Sequence, residues 1–456
     1  MAGKFKITGS AAAWIALALL VVPMFGSYFF DDMFSTVSNI FNDPGSLQLG
    51  WGQDEYGKYT SGYSILCIFG GLVLCGMLLD RWGVRITGSI FVGLMVAGAG
   101  MVTWALVSGL PAAQSLNVAW AGCMVFGLGS EIAGVAVTRS IAKWFKGRNM
   151  AFAMGLQLAI ARLGTATAFL LSPVLIQQKD FYPLSVTSRP AFFGMMLLLV
   201  GAIFWAVFVA MDARFDRVVR STSAEAMTAG DVAKSDEQFR FKDVLKVLGN
   251  PNWWLLALLC VFFYSSIVAF KKFTGAILVP RFGVSAGIAG LMATILPFST
   301  VVFAPLFGLM VDRRGHGTRW MVFGAVLALA AHLVLAFAPS GSAFWGYAAM
   351  ILLGFSYSLV PAALWPSVPK VIPDRMLGTA FALIYWVQNL GLWGFKRFAG
   401  RILEAPHTVE SAAGASPILN VELMFLAVCV AALVLALLFA ASSRRHPELA
   451  LDKPNK

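Results

Sequence analysis

Apolar runs of about twenty residues recur along the whole chain, and they constrain its fold more than any other feature. An α-helix needs a run of about this length to cross the hydrocarbon core of a bilayer. Only 12% of the 456 residues are charged and 59% are hydrophobic, whereas soluble domains carry about a quarter charged residues. So few charges do not cover a water-facing surface, and the sequence therefore predicts an all-α integral membrane protein.

Twelve of these runs are predicted to span the membrane. The first is followed by no convincing small-residue cleavage site, so we interpret it as a transmembrane helix rather than a signal peptide. The predicted spans are, to within a few residues, 11–36, 57–79, 86–108, 118–143, 150–174, 189–211, 252–273, 285–310, 319–338, 343–367, 379–400 and 421–442.

Lysine and arginine are unevenly divided between the two sets of connecting segments. The set that includes both termini holds 23 of them, and the opposite set holds seven. Because basic loops stay in the cytoplasm, both termini are expected to be cytoplasmic. The net charge is +12, but the lysines and arginines lie in short clusters between the apolar runs and do not form one basic face. No nucleic-acid partner is therefore expected.

The spans divide the chain into two halves. We expect a six-helix bundle over residues 1–211, a cytoplasmic linker over 212–250, a second six-helix bundle over 251–443 and a cytoplasmic tail over 444–456. Within the linker, "FRFKDVLKVL" predicts an amphipathic helix at the membrane interface.

Two sequence echoes relate these halves. "GMLLDRWGVR" (76–85) follows the second span and "GLMVDRRGHGTR" (308–319) follows the eighth, so that Asp80 and Asp312 are 232 residues apart. "AFA" occurs at 151–153 and at 380–382, 229 residues apart, each time at the start of a fifth span. Two echoes at nearly one offset indicate duplication, and paired repeats with a site between them are the plan of many secondary transporters.

The first of these loops resembles the signature of the major facilitator superfamily, Gly-x-x-x-Asp-Arg-x-Gly-x-Arg. All five defined positions match, namely Gly76, Asp80, Arg81, Gly83 and Arg85. The second copy keeps Gly308, Asp312, Arg313 and Gly315 and delays the last arginine to Arg319. The resemblance implies two pseudo-symmetric six-helix bundles that rock about a central site, with these loops as conformational latches.

A glutamate and an arginine lie inside two successive apolar runs. Glu131 stands in "FGLGSEIAG" and Arg162 in "LQLAIARLGT", and the midpoint between them falls on the predicted turn "FKGRN" (145–149). At about 1.5 Å per residue, both lie roughly 20 Å from that turn, near the midplane. A structural ion pair is one explanation, but replacing such a pair by hydrophobic residues is often neutral or stabilising. Keeping both charges in a bilayer therefore favours a functional site.

These two charges suit a small zwitterion. A guanidinium binds a carboxylate through a two-pronged fork, and a carboxylate receives an ammonium group. Gln157, five residues before Arg162, is a further hydrogen-bonding candidate. The remaining cavity candidates, each of which has polar helix packing as its alternative role, are Tyr63, Tyr264, Tyr357, Trp365, Gln388 and Asn389.

The stretch 126–165 resembles the lysosomal dipeptide transporter branch of the superfamily. It has a glutamate in a glycine-rich helix, followed by "WFKG", "GLQL" and "ARLG". The resemblance implies that Glu131 contacts the amine, that Arg162 contacts the carboxylate and that Trp365 lies in the cavity wall. The chain has no Asn-x-Ser/Thr sequon and its first residues lack an acidic dileucine signal, so a bacterial inner membrane is expected instead of a lysosome.

Each of the other polar residues within the spans has a possible structural role as well as a possible functional one. Asp31 and Asp32, near the outer end of the first span, are either a hydrated helix end or an outer gate or proton-coupling site. Lys271 and Lys272 end the seventh span and are expected to extend toward the membrane surface, and His332 is expected to serve simple packing. The five cysteines form no metal-binding spacing, and neither a metal nor a cofactor is expected.

The sequence therefore predicts a secondary transporter that moves dipeptides by alternating access, as a uniporter or a proton-coupled symporter. We expect a monomer among membrane lipids, without enzymatic activity. One alternative is a transporter of single amino acids or small organic anions, in which Glu131 carries a proton. Another is a membrane sensor that does not transport, although the short tail "SSRRHPELALDKPNK" offers no sizeable soluble domain for it.

Overall fold

The described residues form an all-helical molecule. The computed structural model describes residues 10–42, 49–145, 150–177, 187–226, 241–373, 376–404 and 416–453, and within these ranges there is no strand. Ten helices among these residues are long and apolar enough to cross a membrane. The prediction of an all-α membrane protein is confirmed.

The first half of the chain contains six long helical segments. They are α1 (Ser10–Asp32, followed by a 3₁₀ helix Ser35–Asn42), α2 (Gln53–Leu66, followed by a π-helical turn Cys67–Gly71), α3 (Leu72–Val107), α4 (Ala112–Trp144), α5 (Met150–Gln177) and α6 (Ser188–Ala226). Gly83 interrupts α3 with a φ of +76°, which favours glycine because it has no Cβ. The turn between the second and third predicted spans therefore lies within α3.

The second half repeats this order with more interruptions. It comprises α7 (Phe241–Leu248), α8 (Pro251–Tyr264, followed by a π-helical turn Ser265–Ala269), α9 (Phe270–Lys272), α10 (Thr274–Phe282), α11 (Ala286–Arg314), α12 (Gly317–Phe337), α13 (Ala343–Leu364), α14 (Val368–Val371), α15 (Leu377–Glu404) and α16 (Pro417–Arg445). All twelve predicted spans fall on helices of the two halves.

Two predicted spans, 57–79 and 379–400, are absent from the ten apolar helices. They correspond to α2 and α15, which pack against each other across the two halves. Lys58 in α2 and Lys396 in α15 are among their charged residues. These helices are less apolar because they line the interface between the bundles and not only lipid.

The predicted linker begins too early. The helix α6 continues to Ala226, fifteen residues beyond the predicted end of the sixth span. This extension places Asp212 and Asp216, one turn apart, against Lys143 of α4 and Arg85 of α3, at distances from 2.6 to 3.8 Å. These ion pairs hold the first turn beyond residue 211 against α3 and α4. Phe241–Leu248 is helical, residues 227–240 lie outside the described residues, and the interfacial position of α7 stays a prediction.

The two halves contact each other most closely at one face. We call the face where α1 begins and α16 ends the termini face, and the other the opposite face. At the opposite face, Arg397 of α15 pairs with Asp54 of α2. The carboxylate of Glu404 accepts a hydrogen bond from the backbone of Gln53. The structure is thus closed between its halves at the opposite face, as alternating access requires of one state.

Gly57 of α2 lies close to Gly400 of α15 where the two halves meet at the opposite face. A Cβ on Gly57 would lie 3.0 Å from the Cα of Gly400 and 3.0 Å from the carbonyl oxygen of Lys396. These are backbone atoms that move little, so Gly57→Leu is expected to hold the opposite face open. Overpacking costs about 1–3 kcal/mol, so a cysteine placed at the buried Thr36 should react with an impermeant maleimide about tenfold faster.

The matched control is Gly93→Leu, because a Cβ at Gly93 meets open space. Its labelling rate should equal that of the parent. A Gly57→Leu variant that reacts no faster than the parent would contradict the tight seal.

Candidate functional site

Arg162 of α5 is held between two tyrosine rings. Its guanidinium carbon lies 5.6 Å from the ring centre of Tyr28 and 5.2 Å from that of Tyr357. Nη1 donates a hydrogen bond to the Tyr357 hydroxyl at 3.2 Å, and the buried Nε has no hydrogen-bond partner in the described residues. Arginine carries five N–H donors, so donors remain for a ligand.

Glu131 of α4 has a neutral hydrogen-bond partner. Its Oε1 accepts a hydrogen bond from the Tyr63 hydroxyl at 3.1 Å, and that hydroxyl also lies 3.2 Å from Oγ of Ser130. Lys396 Nζ lies 5.4 Å from the centre of the Tyr63 ring. Among the ion pairs of the described residues none involves Glu131, so its carboxylate is available to a cation.

Glu131 and Arg162 share one site without forming an ion pair within the described residues. The helix α1 packs against both α4 and α5, and its Tyr28 lies close enough to interact electrostatically with both charges. Two side chains at the same depth in neighbouring helices can either contact each other or stay apart. In the structure, Glu131 and Arg162 do not contact each other, so the opposite charges remain separate.

An arc of aromatic side chains from the second half completes the site. Tyr264 lies edge-on to Tyr357, with ring centres 6.0 Å apart, and its hydroxyl accepts a hydrogen bond from Trp365 Nε1 at 3.1 Å. Trp365 stacks on Tyr385 at 5.2 Å, and Tyr385 interacts electrostatically with Glu131. The arc therefore runs from the arginine side of the site to the glutamate side.

The predicted amide residues contribute differently. Gln388 accepts a hydrogen bond from the Cys260 thiol at 3.5 Å. Asn389 donates to the carbonyl of Tyr385 at 3.1 Å, and its buried Oδ1 has no partner in the described residues. Gln157 is buried. Gln388 and Asn389 thus brace α15 in this state, with one free acceptor on Asn389.

Three residues of this site were missed by the sequence analysis: Tyr28, Tyr385 and Lys396. Lys396 had been counted with the outer loops, but it is 2% exposed. A signal existed, because Tyr385, Asn389 and Lys396 are spaced i, i+4 and i+11 and so share one helix face. Such a polar stripe within an apolar run marks an interior-facing surface.

Asp31 and Asp32 take part in an ion-pair cluster that joins the two halves. Asp32 lies 2.7 Å from Lys271 Nζ and 2.8 Å from Lys272 Nζ, and Asp31 lies 2.8 Å from Lys272 Nζ. Thr165 of α5 donates a further hydrogen bond to Asp32 at 2.7 Å. This cluster, defined by these five residues, ties α1 to α9.

The expectation that Lys271 and Lys272 extend toward the membrane surface is wrong. Lys272 is 1% exposed and Lys271 is 7% exposed. Two carboxylates of the other half pair with both ammonium groups, and this pairing offsets part of the cost of removing the charges from water.

The signature loops lie at the termini face. Arg85 contacts Asp216 at 3.2 Å, Arg81 is exposed, and the side chains of residues 76 and 80 lie outside the described residues. In the second copy, Asp312 and Arg313 are exposed at the end of α11. The first turn of the following helix α12 is held by Asp452 of the tail, which accepts hydrogen bonds from Thr318. Their role as latches stays a prediction.

The fold and this site define a class of protein. An all-helical membrane protein with two related bundles, a charged and aromatic site between them and closure at one face has the architecture of a secondary transporter. The family model described as Major Facilitator Superfamily matches residues 9–393. The chain belongs to the major facilitator superfamily, which confirms the resemblance of its signature loop, and the protein is a membrane transporter and not an enzyme.

Two relatives and two solved structures are informative. The chain is 31% identical over 411 residues to the lysosomal dipeptide transporter MFSD1 of Bos taurus, covering 86% of this chain and 79% of the relative. It is 30% identical over 412 residues to the Homo sapiens protein of the same name, covering 86% and 80%.

The D-xylose-proton symporter crystal structure has a TM-score of 0.68 at 14% identity, covering 94% of this chain and 97% of that one. The POT family transporter PepTSo has a TM-score of 0.68 at 14% identity, covering 95% and 98%. These structural likenesses show the fold alone.

Proposed function

We propose that this transporter moves dipeptides, with Arg162 binding the carboxylate terminus and Glu131 the ammonium terminus. The observation that carries the proposal is the pair of opposite charges that share one site and do not neutralise each other. The relatives named as dipeptide transporters support it.

The arginine is prepared for a carboxylate. Tyr28 and Tyr357 hold the guanidinium by their ring faces, which favours a cation. Because Tyr357 occupies Nη1, the edge formed by Nε and Nη2 is left for the ligand. This edge presents two parallel N–H donors, which match the two oxygens of a carboxylate.

A dipeptide is long enough to bridge two charged groups that do not contact each other. A ligand that uses both groups has to bridge them, since they do not contact each other. Two residues in an extended chain span about 7 Å, which is more than the distance between the amine and carboxylate of one amino acid. The aromatic arc carries no charge, so we expect it to receive neutral and aromatic side chains.

The closed opposite face can be assigned to one side of the membrane. The excess of lysine and arginine in the segments on the termini face supports a cytoplasmic position for both termini. The closed opposite face then corresponds to the outer side of a bacterial inner membrane. In this state the cluster of Asp31, Asp32, Lys271, Lys272 and Thr165 forms the outer gate.

One observation favours the alternative substrate. Glu131 is hydrogen-bonded by a neutral tyrosine, as a proton carrier would also be. Arg162 alone would then bind a small organic anion.

Competition in proteoliposomes tests the proposal. Labelled alanyl-alanine should exchange across the membrane, and unlabelled alanyl-alanine should compete with it. N-acetyl-alanyl-alanine, which lacks the ammonium group, and alanyl-alanine amide, which lacks the carboxylate, should compete at least about tenfold less well, because a hydrogen bond to a charged group contributes about 1.5–3 kcal/mol. If lactate or alanine enters while alanyl-alanine neither enters nor competes, the dipeptide proposal is wrong.

A further inference from the structure

A histidine and a glutamate form a fully buried pair in the second half, outside the substrate site. His332 of α12 and Glu422 of α16 are both 0% exposed, and His332 Nδ1 lies 2.8 Å from Glu422 Oε2. The expectation of simple packing for His332 is wrong. Its partner lies 90 residues away in another helix, beyond the reach of any local pattern.

The number of protons on this pair sets its charge. At 2.8 Å a proton lies between nitrogen and oxygen. With that proton alone the pair is an anion, whereas with a second proton it is neutral. His332 Nε2 and Glu422 Oε1 are both buried without a hydrogen-bond partner in the described residues. Because a buried charge without compensation is costly, the sealed pair is most stable with two protons.

The surroundings of the pair supply little compensating charge. The rings of Phe270 and Phe425 lie 5.3 and 5.4 Å from the His332 ring. The titratable groups on the elements packed here include Cys429 on α16; Cys260 and Tyr264 on α8; Lys271 and Lys272 on α9, both held by aspartates; Tyr347 and Tyr357 on α13; and Tyr385, Lys396, Arg397, Arg401 and Glu404 on α15. Of the α15 groups, Arg397 and Glu404 bind residues of the first half.

Phe270, which packs against His332, is next in the chain to the lysines of the outer gate. Phe270, whose ring stands edge-on to His332, directly precedes Lys271 and Lys272. The π-helical turn Ser265–Ala269 lies immediately before Phe270, and such turns are frequent at functional sites. If the lysines leave Asp32 as the gate opens, Phe270, which directly precedes them in the chain, is displaced as well, and His332 becomes accessible to water.

We propose that His332 and Glu422 form a proton-binding site that permits the outer gate to close. The pair takes one proton from water at the opposite face while the gate is open, and Phe270 seals the pair once it is neutral. On reopening, the proton returns to the same face. The inference rests on the proposed gate and not on the identity of the substrate.

Linkage gives the sign of the effect. The closed state binds one proton more than the open state, so acid favours closure and alkali favours opening. The ratio of closed to open molecules should fall by up to about tenfold for each unit of pH as the second proton is lost. A pair that is always neutral should close at every pH.

Distances between spin labels on the purified full-length protein test this inference. Gln114, at the outer end of α4, and Ser340, between α12 and α13, are exposed positions in opposite halves. In lipid nanodiscs, the parent should lose the short closed-state distance as the pH of the buffer is raised. Glu422→Gln, which leaves a neutral pair, should keep that distance throughout.

Two further variants keep the result interpretable. His332→Gln combined with Glu422→Gln should behave like the single change, and it replaces that variant if Glu422→Gln alone does not fold. Cys429→Ser removes a titratable neighbour and should retain the parental pH dependence. A parent without pH dependence, or a Glu422→Gln protein with the parental one, would overturn the inference. Exchange of alanyl-alanine, measured separately, reports on the substrate proposal alone.

Discussion

Arg162→Ala is expected to abolish exchange of alanyl-alanine while the protein remains folded. The change removes the only cation that we assign to the substrate carboxylate, and it leaves that carboxylate in a site lined by Tyr28 and Tyr357. Truncating one member of a buried charge pair costs about 2–5 kcal/mol, which corresponds to roughly 30- to 5,000-fold weaker binding. Exchange in proteoliposomes and the shift in Tm caused by alanyl-alanine measure the loss.

Two control variants separate the role of the fork from that of the charge. Arg162→Lys keeps a cation but offers no two-pronged donor, so its loss should be smaller than that of alanine and still measurable. Arg139→Ala removes an exposed arginine of α4, and both exchange and the Tm shift should remain at the parental level. Unchanged exchange in Arg162→Ala would remove Arg162 from the proposed site.

Asp32→Asn is expected to shift the molecule away from the state closed at the opposite face. Asp32 lies within 2.8 Å of two buried ammonium groups, and removing one partner of a buried pair costs about 3–5 kcal/mol. This cost falls on the closed state, because there Lys271 and Lys272 are buried. The closed-to-open ratio should fall by roughly a hundredfold or more, as reported by the spin labels at Gln114 and Ser340.

The neighbouring aspartate provides the matched control. Asp31 has 27% of its side chain exposed and, among the described residues, forms an ion pair with Lys272 alone, so Asp31→Asn should shift the ratio less. Adding Lys271→Met to Asp32→Asn removes the ammonium group that has lost its carboxylate partner, and it should restore part of the closed population. Equal closed populations in the parent and in Asp32→Asn would show that the cluster does not hold the gate.

The positions of helices and of midplane charges were accessible from sequence because each depends on local information. A helix in a bilayer satisfies its own backbone hydrogen bonds, so a run of apolar residues is enough to predict one. The depth of Glu131 and Arg162 follows from counting residues to the turn between their helices. The signature loop likewise carries its family likeness in ten consecutive residues.

The length of α6 shows where local information ends. Its turns beyond residue 211 are polar enough to suggest a linker, but they are helical, and the first of them is held by ion pairs of Asp212 and Asp216 with Arg85 and Lys143. Those partners come from α3 and α4. Hydropathy alone does not distinguish a polar helix end that has ion-pair partners from one that enters a loop.

The sequence by itself determined the class of protein, the number of predicted spans, the internal duplication and the presence of two opposite charges near the midplane. The tertiary structure alone decided which polar groups meet: Arg162 with Tyr357, Asp32 with Lys271, and His332 with Glu422. The reason is physical. Burial in lipid depends on the average polarity of a segment, whereas a charge inside the bundle is stabilised by a partner on another helix, and that partner is set by how the helices pack.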